Sequence, residues 1–184
     1  MKIAIGFDLH NTIVESNSAW LKAFILHNNN NTDKSYIEFL IYNKVSRKKI
    51  ASEIEADYDE VLSDYHRFVK ADAKMVALIR ELYGKFPLYL ISSSSKEKVM
   101  RDLESWNGKQ YFLEIYTKET FCKNKEMDWN KLLDELNVDL LIYLGNDFEE
   151  DIIECNRVLS LISGEFLKSL SKLGFLLRRG ENLD

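Results

Sequence analysis

The 184-residue sequence predicts an α/β fold in which helices surround a parallel sheet and a small all-helical segment interrupts the chain. Short apolar runs separated by helical patterns predict the sheet, and they occupy residues 3–7, 87–91 and 140–144. Helical spacing without any strand pattern predicts the insertion. We therefore expect a core made of residues 1–14 and 74–184, with residues 15–73 as a separate helical unit.

The composition favours a folded enzyme of the cytoplasm. Apolar residues make up 46% of the chain, and the net charge of −5 without a long basic run does not favour nucleic acid as a partner. The run between Lys2 and Asp8 is too short for a signal peptide or a membrane span. Cys122 and Cys155 form no metal or redox motif, which is typical of a reduced compartment. The oligomeric state stays open.

Several local patterns place the remaining elements. Ser46 is expected to cap a helix over residues 47–55, and residues 36–42 are apolar nearly all round, which predicts a buried or paired helix. Ser94-x-x-Glu97 predicts a capping box. The further elements that we expect are a helix around Trp129, a helix over residues 148–157, a weak strand over residues 111–116, and edge strands at residues 158–162 and 175–177.

Polar side chains follow each of the three strong strands. They are Asp8, Ser92 and the group Asn146, Asp147 and Asp151. Because the carboxyl ends of parallel strands share one edge of a sheet, these groups should meet there. Carboxylates that face each other repel unless a cation lies between them, and hard oxygen ligands suit Mg²⁺. Lys123 or Lys125 could balance the charge of Asp8 and of a phosphoryl group.

This order of motifs resembles the haloacid dehalogenase superfamily, which has a Rossmann-like core. The motifs are an apolar strand ending in Asp-x-x-x-Thr, a second ending in Ser, a lysine, and a third strand followed by Gly-x-x-x-x-x-Asp. The insertion after the first motif resembles the helical cap of that superfamily. The resemblance implies that Asp8 attacks a phosphorus atom, that Ser92 holds a phosphoryl oxygen, and that Lys123 or Lys125 neutralises charge.

The resemblance also implies a Mg²⁺ site made of Asp8, the backbone carbonyl of His10, and an acid after Gly145, for which Asp147 and Asp151 are the candidates. Thr12, Ser93 and Asn146 are expected to contact the substrate. Asp151 is the better candidate of the two acids, because Asp147-x-x-Glu150 is itself a capping-box pattern. Lys123 ranks slightly before Lys125.

Two positions depart from the family pattern. His10 stands where the phosphatases carry a second aspartate, the residue that protonates the leaving group and activates water. Histidine, with a reference pKa of about 6.5, could do both, or His10 could be a structural residue. Asn146 stands where an acid often follows the glycine.

The resulting hypothesis is a Mg²⁺-dependent phosphatase for a small phosphorylated metabolite. The alternatives are dehalogenase or phosphonatase chemistry on the same scaffold, and a binding or regulatory module that has lost turnover. A phosphoryl-receiver domain is rejected, because its phosphorylated aspartate follows a later strand. Aromatic residues of the insertion such as Trp20, Tyr36 and Tyr58 could line a substrate pocket or belong to the core.

Overall fold

A computed structural model of the chain describes residues 1–123, 126–147 and 149–162. Lys125 and the predicted edge strand at residues 175–177 lie outside the described residues. The described part contains one sheet, and its chain order alternates strands with helices as the sequence predicts. The fold is therefore α/β with a Rossmann-like arrangement.

The sheet has five parallel strands in the order β3-β2-β1-β4-β5. They are β1 (Ile3–Phe7), β2 (Leu88–Ile91), β3 (Glu114–Tyr116), β4 (Leu140–Gly145) and β5 (Val158–Ile162). The first strand is central, and every described residue of β2 and all but the first of β4 are buried, as their continuous apolar sequences require. β5 lies at one edge, which confirms the prediction for residues 158–162.

Seven α-helices and one 3₁₀ turn accompany the sheet in the described residues. They are α1 (Ser16–Leu26), α2 (Lys34–Tyr42), α3 (Arg47–Glu53), α4 (Tyr58–Phe68), α5 (Ala73–Leu82), α6 (Lys96–Glu104), the 3₁₀ turn Gly108–Tyr111 and α7 (Glu126–Leu136). Ser46 caps α3 as predicted, since its hydroxyl accepts the Lys49 amide at 3.3 Å. None of the helices in these ranges combines the length and the apolar character needed to cross a membrane.

The four helices α1 to α4 all lie between β1 and α5, where the sequence places the insertion. One hydrophobic cluster joins their inner faces, through residues such as Phe24 and Ile37, to Phe7 and Leu90 of the sheet. The expectation for residues 36–42 is wrong in one respect. Only one face of α2 is buried, and its other face exposes three aromatic side chains, those of Tyr36, Phe39 and Tyr42.

The predicted helix over residues 148–157 is also wrong, because residues 149–157 form turns, a bend and irregular chain. The Asp147 carboxylate accepts the amides of Glu149 at 2.9 Å and Glu150 at 3.2 Å, as a helix cap would. The Asp151 side chain, however, turns back and accepts the amides of Asn146 and Asp147. These side-chain acceptors take the place of a helical hydrogen-bond ladder, and the chain then runs directly into β5.

Gly6 generates a stability prediction for the centre of the sheet. A Cβ atom at this position would lie 3.0 Å from the Tyr143 ring and 3.4 Å from the Ile91 side chain. We expect Gly6→Ala to lower the free energy of unfolding by about 1–3 kcal/mol, because the added methyl group overpacks the buried layer. Urea unfolding followed by circular dichroism measures this change. An unchanged or higher unfolding midpoint would contradict the packing described for β1 and β4.

Candidate active site

The loops at the carboxyl ends of β1, β2 and β4 surround a cavity of about 590 Å³. The core contributes Asp8, His10, Asn11, Ser92, Ser93, Ser94, Lys98, Asn146, Asp147, Glu150 and Asp151. The helical insertion contributes Ser16, Asn17, Trp20, Ile41, Tyr42, Lys44, Val45, Ser46 and Arg47. The structure thus brings the strand-end groups together, as the sequence predicts, and adds a wall from the insertion.

The Lys123 ammonium lies between two carboxylates at the base of the cavity. Its Nζ donates to Asp8 Oδ1 at 2.7 Å and to Asp151 Oδ1 at 3.1 Å, and its side chain is 2% exposed. Burial would lower the pKa of Lys123, but the two carboxylates outweigh it and raise the pKa. The Trp129 indole donates to the Lys123 carbonyl at 2.7 Å and so fixes the backbone. Lys123 is therefore a permanently charged partner of Asp8.

Asp151 is saturated by four donors. Besides Lys123, its carboxylate accepts the Tyr143 hydroxyl at 3.1 Å and the amides of Asn146 and Asp147 at 2.9 Å each. Gly145 is required beside it, because a Cβ atom there would overlap the Asp151 side chain. This arrangement makes Asp151 a positioning residue for Lys123 and for the loop after β4, and direct contact with a metal would displace these donors.

Asp147 serves a turn and an ion pair. One of its oxygens accepts the amides of Glu149 and Glu150, and the other accepts from the Lys44 ammonium of the insertion at 2.8 Å. Lys44 also lies 3.3 Å from Glu150. The hydrogen bond to Asp147 raises the pKa of Lys44 and so favours the charged form of this lysine. Asp147 thus accepts turn amides as a cap would, but no helix follows and the Asp147 amide is bound by Asp151, so the predicted capping box does not form. A metal at Asp147 would compete with Lys44.

His10 is held by partners on both ring nitrogens. Nε2 lies 2.8 Å from Asp102 Oδ2, and Nδ1 lies 3.2 Å from the Ser94 hydroxyl. Because a carboxylate only accepts, the Nε2 atom of neutral His10 carries the proton and Nδ1 is left as the acceptor. Burial lowers the pKa of His10, and the Asp102 hydrogen bond opposes that shift. The ring is oriented like that of an acid–base histidine.

The sequence reasoning missed Asp102 and its second partner, the Tyr65 hydroxyl, which donates to the same oxygen at 2.9 Å. Asp102 belongs to α6, its side chain is fully buried, and it lies on the same face as Val99 and Leu103. A carboxylate on the apolar face of an amphipathic helix was the available signal. Tyr65 lies among the apolar residues of α4, whose helical spacing predicts only a core position.

The small polar residues lie where the sequence places them, with one correction. Ser92 is buried and its hydroxyl accepts the Ser94 amide at 3.3 Å, whereas Ser93 is exposed at the cavity. The Thr12 hydroxyl lies 3.5 Å from Asp8 Oδ2 and 3.3 Å from Asn146 Oδ1, so it links the two loops. The predicted capping box at Ser94 is wrong, because Ser95 is the cap position and the Ser94 hydroxyl faces His10 instead.

The oxygen atoms near Asp8 are the candidate ligands for Mg²⁺. Asp8 Oδ2 has only the long contact from Thr12, and in the described ranges no donor reaches the His10 carbonyl. Asn146 adds an amide oxygen. No group of three His, Cys, Asp or Glu side chains that could hold a metal exists in the described residues. The set fits Mg²⁺ in chemical type, with one available carboxylate where two would bind more tightly.

The sequence model of the family described as haloacid dehalogenase-like hydrolase matches residues 5–157. This range contains Asp8, Ser92, Lys123 and Asp151. The chain belongs to this family. The haloacid dehalogenase-like fold places the Asp8 loop, the insertion and the loop after β4 around one cavity, as described above. No curated protein matches the sequence at a significant level.

Solved structures share the haloacid dehalogenase-like fold at low sequence identity. A hydrolase from Streptococcus pneumoniae TIGR4 aligns with a TM-score of 0.66 at 14% identity, over 91% of this chain and 97% of the other. The HAD-hydrolase YfnB from Bacillus subtilis, described as bound to magnesium, aligns with a TM-score of 0.62 at 17% identity, over 82% of both chains. A predicted phosphoglycolate phosphatase from Haemophilus somnus 129PT aligns with a TM-score of 0.56 at 11% identity, over 88% and 89%.

The Lys123 ion pairs generate a stability prediction that needs no substrate. Lys123→Met leaves two buried carboxylates, those of Asp8 and Asp151, without their shared cation. We expect the free energy of unfolding at neutral pH to fall by about 3–5 kcal/mol, the usual cost of breaking a buried pair on one side. Urea unfolding measures the loss.

The double variant Lys123→Met with Asp8→Asn is the matched control. Removing one carboxylate relieves part of the repulsion, so the double variant should be more stable than Lys123→Met alone. If the losses of stability measured for Lys123→Met and for Asp8→Asn simply add up in the double variant, a buried network centred on Lys123 is contradicted.

Proposed function

We propose that this haloacid dehalogenase-like hydrolase is a Mg²⁺-dependent phosphatase that acts on a small phosphorylated metabolite through an aspartyl-phosphate on Asp8. One observation carries the proposal. A carboxylate follows the central strand, faces a cavity, and is paired with a buried ammonium that it shares with Asp151. Burial raises the pKa of Asp8, and the Lys123 ammonium opposes that shift and so favours the ionised carboxylate. The second oxygen of Asp8, which has only the long contact from Thr12, is then available as a nucleophile.

In the first step, the free oxygen of Asp8 attacks the phosphorus atom of the substrate. A phosphorus–oxygen bond forms to Asp8 as the ester bond to the leaving alcohol breaks. The Ser92 hydroxyl would donate to a phosphoryl oxygen, and the Lys123 ammonium beside Asp8 would offset the negative charge that develops there. Protonated His10 gives the Nδ1 proton to the leaving oxygen, and the alcohol departs.

In the second step, water attacks the phosphorus atom of the aspartyl-phosphate. Neutral His10 takes a proton from this water at Nδ1, the bond to Asp8 breaks, and inorganic phosphate is released. Asp102 would hold the ring in the required orientation throughout, because it bonds Nε2 and leaves the proton transfer to Nδ1, which the Ser94 hydroxyl contacts at 3.2 Å. His10 would thus perform the work of the aspartate that it replaces.

When bound, Mg²⁺ would supply positive charge that lessens the repulsion between the substrate phosphoryl group and Asp8. Asp8, the His10 carbonyl and the Asn146 amide oxygen would hold it. Asp147 and Asp151, the acids expected from the sequence, would not contact the metal directly. Both would order the loop by accepting its amides, and Asp151 would also hold Lys123. Residues 15–73 would act as the cap, since their side chains complete the cavity wall and exclude water.

The nucleophile and the metal are tested together. We expect the protein to release phosphate from p-nitrophenyl phosphate with Mg²⁺, to lose this activity in a chelator, and to regain it when Mg²⁺ is restored. Asp8→Asn should lower kcat by at least about 10³-fold, because the amide cannot form the acyl phosphate. Asp134→Asn, a surface carboxylate that pairs with Arg157, is the control and should retain activity.

The outcomes separate the alternatives. Turnover of a 2-haloacid with no need for Mg²⁺ would replace the proposal with dehalogenase chemistry. Binding of phosphate without turnover of any phosphomonoester, reversed by His10→Asp, would indicate a site that has lost catalysis. Full phosphatase activity in Asp8→Asn would refute the nucleophile.

Asp102 is tested as a positioning residue for His10. Asp102→Asn can present an amide N–H to Nε2, which moves the ring proton to Nδ1 and blocks its role as a base. We expect kcat to fall about 10²-fold while KM changes little, since the substrate does not touch Asp102. Steady-state kinetics on the same aryl phosphate measures this split.

Tyr65→Phe is the matched control, because it removes the other hydrogen bond to the same oxygen and leaves the His10 contact in place. Its kcat should stay within about tenfold of the wild type. Equal losses of kcat in the two variants would show that Asp102 acts through general packing and not through the histidine.

A further inference from the structure

The charges around the cavity do not balance locally where α6 of the core faces the insertion. Lys44 is neutralised by Asp147 and Glu150, and Lys123 is neutralised by the two carboxylates at the base. Two further cations of the cavity wall, Lys98 and Arg47, have no carboxylate within ion-pair distance in the part of the chain that the structure describes.

Of these two cations, Lys98 has the fewer polar contacts. It lies on α6, and its Nζ stands 5.3 Å from the centre of the Tyr65 ring and 5.9 Å from that of Trp20. Within the described ranges this ammonium makes no hydrogen bond. Burial lowers the pKa of Lys98, the more distant charges of Asp102 and Asp8 oppose that shift, and the charge of Arg47 adds to it. A half-buried ammonium without an anion at ion-pair distance is costly, so an arriving anion would be stabilised there.

Arg47 is fixed by neutral groups and keeps its charge. Its guanidinium donates to the carbonyls of Ile41 at 3.4 Å and Val45 at 3.2 Å, and to the Asn17 amide oxygen at 3.3 Å. Its central carbon lies 5.8 Å from the centre of the Trp20 ring. Carbonyl groups orient this cation without cancelling it, so its field reaches into the cavity.

From this imbalance we infer that the substrate carries a second anionic group besides the phosphoryl group, and that Lys98 receives it, with Arg47 reinforcing the field beside the Trp20 ring. The inference rests on the proposed phosphatase function. Asp8 and Lys98 line the same cavity, whose volume of about 590 Å³ suits a small metabolite. The shared chemistry of the second group is an oxyanion, either a carboxylate or another phosphate.

Matched substrate pairs test the inference. One pair is 2-phosphoglycolate against ethyl phosphate, in which a methyl group replaces the carboxylate. The other pair is ethane-1,2-diol bisphosphate against 2-hydroxyethyl phosphate. We expect the wild type to favour the anionic member of at least one pair by about 10- to 100-fold in kcat/KM, the range for a hydrogen bond to a charged group. The pair that shows the preference identifies the kind of oxyanion.

The Lys98 variants assign the preference to one side chain. Lys98→Met should remove most of that preference, mainly by raising KM for the anionic member, whereas Lys98→Arg should keep most of it. Lys48→Met is the control, because Lys48 also lies over an aromatic ring, that of Tyr58, but does not line the cavity. This control should keep the wild-type preference.

The two proposals fail in different ways. If no phosphomonoester is hydrolysed, the phosphatase function fails and the inference falls with it. If the wild type hydrolyses both members of each pair equally well, the second-anion site is overturned and the phosphatase function stands. Equal losses for both members in Lys98→Met would also overturn it, because they would place Lys98 at the phosphoryl group.

Discussion

The buried ammonium of Lys123, held between Asp8 and Asp151, is the interaction on which the site depends. Placing charges where little water reaches them is costly unless each has a partner at hydrogen-bond distance. Asp151 meets this condition by accepting two loop amides and the Tyr143 hydroxyl as well, and so it orders the loop after β4. The carboxylate at the end of β1 is thereby oriented by groups from β4 and from the segment before α7.

The two departures from the family pattern have local counterparts in the structure. At position 10, a histidine lines the cavity in place of an acid, and the carboxylate of Asp102 binds this histidine without lining the cavity itself. At position 146, the neutral side chain bonds to the Thr12 hydroxyl, and the nearby negative charge of Asp147 is matched by Lys44 from the insertion. Both departures reduce the negative charge that faces the cavity, whose lining also includes Lys98 and Arg47.

Contacts between the insertion and the core are made by the same groups that shape the site. Tyr65 of α4 bonds to Asp102 beside His10, and Lys44 bonds to Asp147 beside the loop after β4. A change in the position of the insertion would therefore alter the surroundings of His10 and of that loop together. This coupling follows from two polar contacts at opposite sides of one cavity.

The sequence by itself determined the three central strands β1, β2 and β4, because uninterrupted apolar runs have few other ways to bury their side chains. It also determined that Asp8, Ser92 and Asp151 would meet at one edge of a parallel sheet. It could not decide between a helix and turns after Asp147, because both begin with the same cap, and only Asp151 folding back settled the outcome. The partners of His10, Lys44 and Lys98 were likewise decided by tertiary structure. They come from segments far apart in the chain, and local patterns carry no information about which side chains long-range packing brings together.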